Sequence, residues 1–122
     1  MRKIPIKTTP DKFFRQFLEL FRSLPPFNKL KSRELDILAQ LLYYNNLNKD
    51  INIKIRHLVV FSTELRKEMR EKLNISVEVF NNNISGLKKH KLVTKDNKLI
   101  PFLETLYFDK FFKLEFNFIY NG

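Results

Sequence analysis

The chain has no cysteine, no tryptophan, a single alanine and only two glycines. Without cysteine there can be no disulfide, no thiolate zinc site and no cysteine nucleophile. Gly86 and Gly122 alone cannot build a glycine-rich phosphate loop. The two histidines, His57 and His90, each lack a second histidine at ligand spacing, so no metal site is expected. The acids are scattered, with no pair marked out for proton transfer. We therefore expect neither enzyme activity nor a cofactor. No apolar run reaches the roughly 18 residues of a membrane span, so no membrane partner is expected. Met1-Arg2-Lys3-Ile4-Pro5 lacks the apolar core of a secretion signal. The expected location is therefore the cytoplasm. The two glycosylation sequons, at Asn74 and Asn83, then occur by chance.

Positive charge is abundant. Twenty-three Lys and Arg stand against 13 Asp and Glu, a formal charge of +10 over 122 residues. Residues 1–31 carry +6 and residues 62–98 carry +4, whereas 99–122 carry −1. Such a surplus suits a polyanionic partner, although it also keeps a small domain soluble. Phe, Asn, Lys and Ile, all with AT-rich codons, are common, which fits an AT-rich genome. The length suits one domain with one modest core.

Pro5 and Pro10 make residues 1–10 a basic extended arm. Phe13, Phe14, Phe17, Leu18, Phe21 and Leu24 recur at helical spacing, predicting an aromatic-faced helix over 11–24. That face belongs in a core rather than on a membrane surface. Pro25-Pro26 ends the helix. Ser32 is placed to cap a second helix carrying Leu35, Leu38 and Leu42. Ile51-Asn52-Ile53-Lys54-Ile55 alternates strictly, which predicts a half-buried strand. Residues 110–120 alternate as well, with Phe112, Leu114, Phe116, Phe118 and Tyr120 on one side. They predict a terminal edge strand able to pair with another chain.

Residues 61–101 organise the whole. Leu65, Met69 and Leu73 share a helical face, and Asn74-Ile75 break it. Ser76 can cap a second helix running to about His90, with Val77, Phe80, Ile84 and Leu87 buried. Glu78, Asn82, Ser85 and Lys89 occupy its other side. Lys95-Asp96-Asn97 then has hairpin-turn composition. Glu64, Glu68 and Glu71 sit near lysine and arginine as a solvated ion-pair face.

The string Asn74-Ile75-Ser76, Asn82, then Ile84-Ser85-Gly86-Leu87-Lys88-Lys89-His90-Lys91-Leu92-Val93 resembles the recognition helix and wing of the winged helix-turn-helix superfamily. The likeness covers roughly residues 32–101, and small tailed-phage proteins of that kind look similar. It implies an α+β, mainly helical fold: a winged helix (core 32–101, domain 11–122) with an extra N-terminal helix and a C-terminal strand. It also implies double-stranded DNA as partner, with a role in transcription or replication control. Asn81, Asn82, Ser85 and Lys89 would then face the major groove. Lys88, Lys91, Lys95 and Lys98 would touch phosphates, and Arg66, Lys67 and Arg70 would reach the backbone from the preceding helix. Arg2, Lys3 and Lys7 would form a minor-groove arm. The alternative is a virion component, in the neck or beside the connector. It would use the fold for protein contacts and form an oligomer or larger assembly through residues 110–120 and the 11–24 helix. Gly86 inside the helix costs about 1 kcal/mol against alanine, unless close packing requires it.

Overall fold

The computed structural model describes residues 10–107. The arm residues Arg2, Lys3 and Lys7 and the expected 110–120 strand lie outside that range. The described chain is mainly helical, in the order α1 (Pro10–Leu20), a 3-10 turn (Phe27–Lys29), α2 (Ser32–Leu47), α3 (Ile53–Val60), α4 (Thr63–Leu73), α5 (Val77–Lys89) and α6 (Pro101–Glu104). Among the described residues no β-strand forms; the only sheet-like pairing is one antiparallel bridge, Val93 to Leu99.

Helix α2 is the hub, packing against α1, α3, α4, α5 and α6. Its Leu35, Ile37, Leu38, Leu41 and Leu42 are fully buried, an apolar surface wide enough to serve several neighbours. On one side lies α1, whose Phe13, Phe14, Phe17 and Leu18 are buried. Edge and tilted ring contacts run from Phe13–Phe14 at 5.3 Å to Phe17–Phe21 at 4.8 Å. Arg15 Nε donates to Asp36 Oδ1 at 2.7 Å and fixes α1 along α2. The aromatic face of α1 is thus spent on the chain's own core. Helix α1 stops at Leu20, and Leu24 beyond it is exposed.

Ser32 does not cap α2. Lys31 is the N-cap, and its N–H donates to Glu34 Oε1 at 2.8 Å. Ser32 is the first helical residue, and its hydroxyl instead accepts from Arg22 Nη2 at 3.2 Å.

The expected strand at 51–55 does not form; helix α3 begins inside that stretch, at Ile53. Asn52 caps α3 by accepting from the Lys54 N–H at 2.9 Å, which starts the turn inside the alternating stretch. The residues α3 buries are Arg56 and Val60, four apart, while Ile53, Ile55 and Leu58 remain exposed. Arg56, only 4% exposed, replaces an apolar anchor. Its guanidinium donates to the carbonyls of Lys49, Ile51 and Glu104, to Asn45 Oδ1 and to the Tyr107 hydroxyl, all within 3.3 Å. It thereby staples the ends of α2 and α6 and the loop before α3.

Candidate functional site

Helices α4 and α5 meet through a three-residue turn. Asn74 is left-handed, with φ 54°. The Ile75 N–H donates to the Arg70 carbonyl at 3.0 Å and the Asn74 N–H to that of Glu71 at 3.2 Å. These paired bonds close the end of α4 and redirect the chain. Ser76 then accepts from the Val79 N–H at 3.1 Å and starts α5, the role its position predicts.

Phe80, Ile84 and Leu87 form the buried stripe of α5. Val77 does not join it: at 52% exposed it stands in solvent. Asn81, Asn82, Ser85 and Lys89 are exposed, and Asn83 and Lys88 half-buried. Gly86 lies where α5 passes the N-terminal end of α2. A Cβ built there would collide with Glu34 Oε2 and stand 2.9 Å from Glu34 Cδ. The glycine lets α5 approach the buried Glu34 carboxylate.

Helix α5 ends as α4 does. Lys91 is left-handed at φ 62°, the Lys91 N–H bonds the Lys88 carbonyl, and the Leu92 N–H bonds that of Leu87, each at 3.0 Å. A tight hairpin follows. Thr94 and Lys98 pair through a 2.7 Å bond, the Lys98 N–H donates to Thr94 Oγ1, and Asn97 is left-handed at φ 60°. A three-residue loop closed by a left-handed residue is a common hairpin geometry, and it is reached here without glycine. Lys95 is exposed at its tip and Lys98 half-buried at its base.

These elements enclose an open groove of about 230 Å³, lined by Phe61, Arg66, Asn81, Ile84, Ser85, Lys88 and Asn97. Asn81, Ser85 and Lys88 fall at i, i+4 and i+7, along one edge of α5. Four predicted residues thus come together: Arg66, Asn81, Ser85 and Lys88. Asn82, Lys89, Lys91, Lys95 and Lys98 do not line the groove; nor do Lys67, exposed on α4, or the half-buried Arg70. Phe61 and Ile84 supply the groove's apolar wall, and Asn97 is the polar lining residue that sequence reasoning missed. Its only signal was turn composition, which announces a left-handed residue but not what it faces.

The acids of α4 are exposed, and among the described residues none of Glu64, Glu68 and Glu71 closes an ion pair. On the far side of α4, Lys72 Nζ sits over the Tyr43 and Tyr44 rings at 4.5 and 4.8 Å. Burial raises the Tyr44 hydroxyl above its ordinary 10.0. For Lys72 burial acts downward, but the Tyr44 phenol, Tyr43 and Glu68 outweigh it and raise the ammonium above 10.5. No helix among the described residues is long and apolar enough to cross a membrane. No protein family, curated protein or solved structure matches the chain.

Proposed function

We propose that the chain is a non-enzymatic winged-helix protein that binds double-stranded DNA. It would serve transcription or replication control in a phage or a low-GC bacterium. The observation that carries the reading is the order and exposure of one segment. Helix α4, a three-residue turn, helix α5 with a solvent-exposed asparagine and lysine edge, and a basic hairpin follow each other directly. A helix of that kind can enter a major groove and offer Asn81 and Asn82 to adenine edges. Lys88, Lys89, Lys91 and the hairpin lysines supply charge for the flanking phosphates.

The test is fluorescence anisotropy on random and AT-rich duplexes across a salt series. If Lys88, Lys89, Lys91, Lys95 and Lys98 all neutralise phosphates, log Kd should change with log salt with a slope of about 4 to 5. The Lys88→Glu, Lys89→Glu double variant should keep its circular dichroism and lose binding. Equal affinity and equal slope in both proteins would remove the proposal.

A second reading, a virion assembly component, is favoured by the exposed Leu58 and Ile55 on α3. Light scattering with and without DNA separates the two. A species that shifts duplex supports the first reading, and a large oligomer that ignores duplex supports the second.

A further inference from the structure

Helix α3 leaves an apolar face in solvent. Leu58 is 64% and Ile55 54% exposed, and Val59 beside them is half-buried. The three fall at i, i+3 and i+4, on one side of the helix. Helical spacing sets Leu58 opposite Arg56 and Val60, the two residues α3 buries. A stripe of this kind calls for a cover. The chain itself leads to it. Tyr107 is the last described residue, and it lies against α3. Its hydroxyl accepts from Arg56 Nη1 at 3.0 Å, and the guanidinium stands 5.4 Å from its ring. A helix with its side chains is about 10–12 Å across, and a chain spans up to about 3.3 Å per residue. From Tyr107, residues beyond about 110 therefore reach the far side of α3.

We propose that the Ile55, Leu58 and Val59 face of α3 is the docking site for residues 108–122 of the same chain. That segment carries five phenylalanines with Leu114, Ile119 and Tyr120, against two lysines and two acids. It has the apolar side chains the face needs, and it starts beside that face. Residues 1–9 are the poorer match: Met1, Ile4 and Ile6 stand against Arg2, Lys3 and Lys7, and they join the fold at α1. Tethering favours the chain's own segment over that of a second copy. A link of a few residues gives an effective concentration of about millimolar, which a second copy in dilute solution does not match. The inference stands apart from the DNA reading. It also withdraws Ile55 and Leu58 as an assembly surface, because the chain covers them itself.

The absence of cysteine makes the test direct, in the full chain. Leu58→Cys is combined in turn with Phe111→Cys, Phe112→Cys and Leu114→Cys, and each protein is oxidised. At least one pair should close a disulfide within a single chain, with monomer mass by light scattering and a yield independent of protein concentration. The same three partners combined with Asn82→Cys, exposed on α5, should link several-fold less. Separately, Leu58→Asp should speed trypsin cleavage after Lys110 and Lys113 several-fold while circular dichroism stays unchanged. Val77→Asp, at a site 52% exposed on α5, should leave that cleavage at the wild-type rate. Leu58→Cys links no more frequent than those of Asn82→Cys overturn the proposal. So do links formed only between chains, with a yield that rises with concentration, which would assign the face to a second copy. Equal cleavage in Leu58→Asp and wild type overturns it as well.

Discussion

Replacing Gly86 with alanine should destabilise this protein, although alanine is the better helix former. The intrinsic gain is about 1 kcal/mol in a helix interior. Against it stands Glu34, whose carboxylate occupies the space a Cβ needs. Glu34 is 5% exposed and accepts the Lys31 N–H at 2.8 Å. Moving it aside breaks a hydrogen bond to a charged acceptor, worth about 1.5–3 kcal/mol. It also withdraws an anion from the first turn of α2, worth about 0.3–1 kcal/mol. Part of this returns when Glu34 and the freed amide reach water. The expected net is a loss of about 1–2 kcal/mol. In a Glu34→Ala background the obstacle is gone, and Gly86→Ala should stabilise by about 1 kcal/mol. The coupling between the two sites is therefore about 2–3 kcal/mol, large for side chains on different helices. Urea unfolding of the four proteins, followed by far-UV circular dichroism, measures it. If Gly86→Ala stabilises both backgrounds equally, α5 does not approach α2 as described.

Arg56→Met should cost about 3–5 kcal/mol in thermal or urea unfolding, because five acceptors lose a buried charged donor. Arg56→Lys should rescue little of this, since one ammonium cannot span acceptors on α2, α6 and the loop before α3. Lys91→Gly should stabilise by about 1 kcal/mol by relieving a side chain held left-handed; a loss in unfolding free energy would contradict the helix end described. For Tyr44 and Lys72 both folded-state values are raised, so each contributes stability that is complete below pH 10 and lost as pH climbs through the folded value. Tyr44→Phe, which keeps the ring and removes the hydroxyl, should flatten the alkaline decline in a pH series of unfolding experiments; an unchanged decline would place the titration elsewhere.

Much of the α4–α5 segment was legible because its signals are local. Asn74 and Ser76 mark a helix end and a helix start whatever surrounds them, and Phe80, Ile84 and Leu87 keep helical spacing. The hairpin at Lys95-Asp96-Asn97 was legible for the same reason. Helix α3 was not. Three isoleucines at alternate positions read as a strand, while the residue that anchors α3 inward is an arginine, which no apolar pattern counts. Its burial depends on acceptors as far away as Glu104 and Tyr107. The Lys31–Glu34 cap and the Gly86 crossing were hidden similarly, since each is defined by a partner's position. The groove combines the two cases. Arg66, Ser85 and Lys88 carried recognisable chemistry, but their convergence with Asn97 depends on how the hairpin folds back over α5.

Because α2 touches every other α-helix among the described residues, its backbone amides have no private route to exchange with deuterium. Fraying of α1 or α6 strips one side of α2 and leaves the rest seated. Its central amides should report only complete opening, whereas those at the ends of α1 and α6 exchange through small local events. The protection measured in α2 would then equal the stability of the whole helical assembly.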